Sequence, residues 1–167
     1  GYTFKNIDLL NQAFTRRSFT EENGGANNEI LEFIGDKALD FSVVKILAQR
    51  FGEIDCDTNV FSCTCSEGDL TAIKSRMVEK KNLAKRIDEL GFDGLLLMGK
   101  SDIKNNVLRG MSVKEDLFEA IIGAVALDCQ WDFPTIQSVA EAMLLPDDFL
   151  KNDTDDNYVR MIYDWEA

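Results

Sequence analysis

Asn28-Glu29-Ile30-Leu31-Glu32-Phe33-Ile34-Gly35-Asp36 interleaves carboxylates with large apolar residues at helical spacing. At about 100° per residue, Glu29, Glu32 and Asp36 fall within roughly 60° of one another on a helix. Ile30, Leu31, Phe33 and Ile34 fill the positions between them, so the acidic stripe lies against apolar surface. Like charges held this close repel, and desolvation raises the cost. A divalent cation that prefers oxygen ligands relieves both. Asp116 and Glu119 repeat the i, i+3 spacing in Lys114-Glu115-Asp116-Leu117-Phe118-Glu119-Ala120. Two such helices packed face to face would form an all-carboxylate site suited to magnesium. Acidic stripes are more often solvated helix faces. Here the stretch from Asp116 to Leu127 is nearly all apolar apart from Glu119 and small residues, which leaves a solvent-facing stripe little polar company.

Composition narrows the chemistry. At 167 residues the chain has the size of one domain with a real core. It contains no histidine. That excludes Ser-His-Asp and Cys-His mechanisms, His-supported zinc hydrolysis and the Glu-x-x-His segments of carboxylate di-iron bundles. Hard-metal chemistry with Mg²⁺ or Mn²⁺ on oxygen ligands remains. Cys56, Cys63, Cys65 and Cys129 are too unevenly spaced for a disulfide scaffold, and reduced thiols of a cytoplasmic protein fit better. Zinc on the first three would lack a nearby fourth ligand. No apolar run approaches about 18 residues and no basic–apolar leader is present, so neither membrane insertion nor secretion is expected.

Helical period dominates the chain, and the expected class is all-α. A first amphipathic helix is expected from Ile7 to Arg17, a loop at Gly24-Gly25, and the long acid-bearing helix from Asn27 to Arg50. Phe51 to Ser66 reads as irregular. Ser66 with Asp69 opens a helix through Met77. Another helix runs from Lys81 to Leu90 and stops at Gly91. Residues 94–102 are too short to assign. Ser112 is expected to cap the second acid-bearing helix, and Pro134 to open a last one through Leu144. The domain then spans 1–146. Asp147, Asp148, Asp153, Asp155 and Asp156 against a lone Lys151 make 147–157 an acidic linker. Helical spacing returns over 158–167.

The segment Asn28–Asp36 closely resembles the signature of the ribonuclease III family, endonucleases of double-stranded RNA. Further stretches resemble bacterial members in the same order. They are Gly1-Tyr2-Thr3-Phe4-Lys5 with Ala13-Phe14-Thr15-Arg16-Arg17-Ser18, then Ser66-Glu67-Gly68-Asp69-Leu70-Thr71 with Asn82-Leu83-Ala84, and lastly Asp116-Leu117-Phe118-Glu119-Ala120-Ile121-Ile122-Gly123-Ala124. The resemblance covers roughly residues 1–145. It implies a helical bundle that pairs with two-fold symmetry as a homodimer. It also implies Mg²⁺-dependent hydrolysis of double-stranded RNA, with Mn²⁺ as a substitute, leaving 5′-phosphate and 3′-hydroxyl ends and a short 3′ overhang. By the same resemblance Glu32, Asp36, Asp116 and Glu119 hold metal at the catalytic centre, Glu119 most directly. Glu29, Glu67, Asn28 and Lys74 match positions near the active-site valley. Phe33 matches an aromatic residue that inserts into the partner subunit. Segment 158–167 then corresponds either to a helix docked on the domain or to the opening of a double-stranded-RNA-binding domain.

Some features depart from that pattern. The net charge of −12 opposes the basic footprint of a nucleic-acid binder and implies salt-sensitive RNA affinity. Arg16 stands where many relatives carry histidine, and Glu115 where a small residue is common. A catalytically silent dimeric RNA-binding or scaffold protein of the same fold is the alternative. Such a protein is expected to lose metal-binding acids, and this chain keeps all four.

Overall fold

The computed structural model describes residues 1–150. The chain is helical, with helices α1 (Ile7–Ala13), α2 (Arg17–Asn23), α3 (Glu29–Phe51), α4 (Glu67–Met77), α5 (Lys80–Leu90), α6 (Lys100–Lys104), α7 (Met111–Asp128) and α8 (Phe133–Leu144). Strands β1 (Gly52–Ile54) and β2 (Phe61–Cys63) form one antiparallel hairpin between α3 and α4. The all-α class stands, with this hairpin as an addition that the sequence reading did not contain.

Helix α7 is the axis of the core. Leu117, Phe118 and every residue from Ala120 to Ala126 are buried, as expected of a helix apolar all round. Helices α1, α3, α5 and α8 pack around it. The α3 contact is the most extensive, because two glycines let the backbones meet. A Cβ on Gly35 would stand 1.7 Å from the Glu119 carbonyl oxygen, and one on Gly123 would stand 2.0 Å from that of Leu31. Any side chain at either position would push the two acid-bearing helices apart. At the far end of α7, Asp128 accepts hydrogen bonds from the Tyr2 hydroxyl, the Lys5 amide (2.9 Å) and the Asn6 amide (2.7 Å), which ties down the N-terminal segment.

Local signals placed several helix ends. Ser66 and Asp69 form a reciprocal capping box at α4. Asp132 caps α8 by accepting from the Thr135 amide at 3.1 Å, with Pro134 in the first turn. Gly91 ends α5 in a left-handed conformation.

Other expectations are corrected. The single helix expected from Ile7 to Arg17 is broken after Ala13, because the Phe14 carbonyl accepts from the Leu97 amide and the Arg16 amide donates to the Leu97 carbonyl instead of continuing the helix. Ser112 does not cap α7. The cap residue is Gly110, and Ser112 lies inside the first turn, accepting from Lys80 Nζ at 3.1 Å. Residues 147–150, read as the opening of the linker, are helical, with Leu150 buried and Phe149 packed on the core. The rest of that expected linker and segment 158–167 lie outside the described residues. Among the described residues no helix is long and apolar enough to cross a membrane.

Candidate active site

The α3–α7 crossing brings the acidic stripes together. Glu32 and Asp36 lie one turn apart on α3, flanking Gly35, and Asp116 and Glu119 lie one turn apart on α7. All four are half-buried, whereas Glu29 is exposed and Asn28 is buried at the start of α3. Their mutual influence is seen in their acidities. Burial, then the charges of Asp36, Glu115, Glu32 and Asp116, push the Glu119 carboxyl up to about 8. Burial followed by Asp116 and Glu29 raises Glu32. Burial also raises Asp116, against the opposing charge of Arg16. A cluster this short of positive charge has the electrostatics of a cation site.

Basic side chains already engage parts of it. Lys37 Nζ is 2.7 Å from Asp36, and Lys80 Nζ is 2.9 Å from Glu115. Arg16 donates from Nε to Asp102 at 2.9 Å and holds a second nitrogen 3.7 Å from Asp116. The same Asp102 oxygen also accepts from the Ser18 hydroxyl at 2.7 Å. Arg16 is thus anchored at the rim of the carboxylates. The Arg16–Asp102 anchor is not legible in the sequence, because the α6 partner of Arg16 lies far along the chain and no local pattern announces it. Among the described residues, no three His, Cys, Asp or Glu side chains are grouped tightly enough, as they stand, to hold an ion. The donor set nonetheless suits a hard cation. It consists of carboxylate oxygens on two helices with fixed backbones, and its five carboxylates, Glu115 included, outnumber the three basic side chains at its rim.

The remaining candidates are more scattered. Lys74 Nζ pairs with Asp40 at 2.9 Å, one turn beyond Asp36 on α3. Glu67 is exposed at the start of α4 and accepts from the Thr71 hydroxyl of its own helix. Phe33 is 67% exposed, as is Ile30, so it is not a core residue. The four cysteines form no disulfide.

Known proteins match this arrangement. The family described as ribonuclease-III-like matches residues 6–147. Ribonuclease 3 of Roseburia hominis is 50% identical over 100% of this chain and 50% of its own length. Ribonuclease 3 of Treponema succinifaciens is 49% identical over 86% of this chain and 39% of its own. The chain therefore spans about half the length, or less, of these curated relatives. Among solved structures, a nuclease domain of ribonuclease III from Campylobacter jejuni, described for flexibility in a region involved in dimer formation, aligns with a TM-score of 0.72. It is 31% identical, over 86% of this chain and 89% of that one. Dicer from Pichia stipitis aligns with a TM-score of 0.61 at 26% identity, over 87% of this chain and 57% of that one. With the family matched over most of its length and the acid-bearing helices crossed at glycines, this chain belongs to the ribonuclease-III-like family.

Proposed function

We propose that this chain is the catalytic part of a divalent-metal-dependent endoribonuclease that cuts double-stranded RNA in RNA processing. The observation that carries the reading is the half-buried α3–α7 carboxylate cluster, with Glu119 pushed up to about 8 by its neighbours. Glu32, Asp36, Asp116 and Glu119 would hold Mg²⁺, or Mn²⁺ in its place, with Glu119 the most central ligand. When bound, such ions activate water and stabilise charge on the phosphate and the leaving oxygen. Water adds to phosphorus, the bond to the 3′ oxygen breaks, and that oxygen leaves with a proton. The products carry 5′-phosphate and 3′-hydroxyl ends. Arg16, anchored on Asp102, and Lys37 hold positive charge at the rim of the cluster. Glu29, Asn28 and Lys74 border it, and Glu67 joins the substrate valley from α4.

The chain acts as a homodimer. Ile30, Phe33, Phe41 and Val44 form an exposed apolar stripe along α3, the type of surface that a second copy covers. Two sites related by a two-fold axis cut one strand each and leave a short 3′ overhang. Cysteines that form no disulfide suit a cytoplasmic protein. With a net charge of −12, RNA affinity is weak and salt-sensitive.

An end-labelled RNA duplex of a few turns, incubated at low salt with Mg²⁺ or with Ca²⁺, tests this reading. Staggered Mg²⁺-dependent cuts, absent with Glu119→Gln and absent on single strands, are expected. A dimeric, Mg²⁺-binding wild type that leaves the duplex intact would favour the silent scaffold instead.

A further inference from the structure

We propose that the β1–β2 hairpin is an arm of the subunit interface, packing its apolar face on a second copy of the chain in continuation of the α3 stripe. This rests on the dimer proposed above.

The hairpin has two unlike faces. In the register Gly52↔Cys63, Glu53↔Ser62 and Ile54↔Phe61, side chains alternate, so Ile54 and Phe61 share one face and Glu53 and Ser62 share the other. The apolar face is uncovered within the chain, with Ile54 65% and Phe61 55% exposed, and Val60 beside them at the turn is 60% exposed. A two-stranded ribbon of three-residue strands is marginal in water unless it packs on something. Its own domain supplies only a narrow footing. A Cβ on Gly52 would stand 2.2 Å from the Phe61 ring and 2.8 Å from the Ala48 carbonyl oxygen, so the ring lies over Gly52 at the C-terminal end of α3.

That footing is what joins the two surfaces. Val44 and Ala48 lie one turn apart on the face that carries Phe33, Lys37 and Phe41. The stripe, interrupted by Lys37, therefore runs down α3 to its C-terminal end, where β1 follows directly and carries Ile54 and its partner Phe61. RNA does not suit this arm. Residues 51–66 contain Glu53, Asp55 and Asp57 and no lysine or arginine, so phosphates would be repelled. An apolar face at the end of the dimer stripe, with no basic residue beside it, fits the apolar surface of another copy of the same protein.

The test is sedimentation velocity of the full chain over a range of concentrations. The proteins compared are the wild type, Phe33→Ala and the double variant Ile54→Thr/Val60→Thr, which keeps β-branched residues in the hairpin. The expected result is a wild-type dimer whose dissociation constant rises about tenfold or more in the double variant, with helical circular dichroism unchanged. A double variant within about twofold of a dimeric wild type would overturn the arm and leave the dimer standing. A wild type that is monomeric throughout, with Phe33→Ala indistinguishable from it, would remove the dimer reading itself and the arm with it. Hydrogen exchange of wild-type residues 52–63 gives a readout free of substitutions. Exchange that slows as protein concentration rises supports the arm. Protection independent of concentration would show that the chain covers its own hairpin, and protection appearing only with RNA would show a substrate contact. Either would overturn the proposal.

Discussion

Glu119→Gln should stabilise the metal-free protein, although it removes the most central acid of the proposed site. The folded carboxyl holds its proton up to about pH 8, whereas the unfolded one releases it near 4.5. Between those values the unfolded chain binds fewer protons, so stability falls as pH rises through the window. The penalty is absent below the lower value and complete above the upper one. The full displacement would correspond to about 5 kcal/mol, but water screens a half-exposed group, and the gain expected is about 1–2 kcal/mol. Glutamine keeps the shape and the helix propensity while deleting the charge. Urea denaturation with a chelator at pH 8.5 should place the variant above wild type, and at pH 5 the gap should shrink. Added Mg²⁺ should raise wild type and leave the variant nearly unmoved, because only a bound ion contributes linkage. A variant less stable than wild type at pH 8.5, or a gap indifferent to pH, would refute the argument that the cluster is electrostatically strained.

Two further outcomes follow from the packing. Gly35→Ala places a methyl group on the Glu119 carbonyl oxygen, and calorimetry should show a loss of about 3 kcal/mol or more, with cleavage lost as the helices separate. Asp128→Asn weakens the anchor for Tyr2, Lys5 and Asn6. Against the upward push of burial, those bonds together hold the Asp128 pKa below its ordinary value of 3.8, so this stabilisation is present above it and is lost as pH falls through the lower folded value. A pH series of thermal melts should show a lower Tm for the variant at neutral pH and convergence with wild type in strong acid.

What the sequence disclosed depended on the distance over which each feature is encoded. The carboxylate stripes, the Ser66–Asp69 box and the Asp132–Pro134 helix start are written within a few residues, and all were legible except Asp132 itself, which was passed over for Pro134. The break after Ala13 was hidden because its cause, Leu97, lies on another element. Likewise the Arg16–Asp102 and Lys80–Glu115 pairs join segments far apart in sequence. The hairpin strands are too short to show alternation. Asp55, which accepts from the Asp57 and Thr58 amides, gives the segment the look of an irregular loop. Gly35 was read as part of a motif, and only the crossing showed that its missing side chain sets the distance between the acidic helices. Family resemblance supplied the metal roles of Glu32, Asp36, Asp116 and Glu119. Periodicity alone supplied only that the acids share a face.

The central claim is that these four carboxylates form one cation site, and titration with Mn²⁺ followed by electron paramagnetic resonance addresses it without depending on RNA or turnover. We predict saturable Mn²⁺ binding by the wild type, weakened about tenfold or more by Glu119→Gln and by Asp36→Asn, and unaffected by Glu53→Gln on the hairpin. A wild type without saturable binding, or one whose affinity survives both site substitutions, would contradict the account.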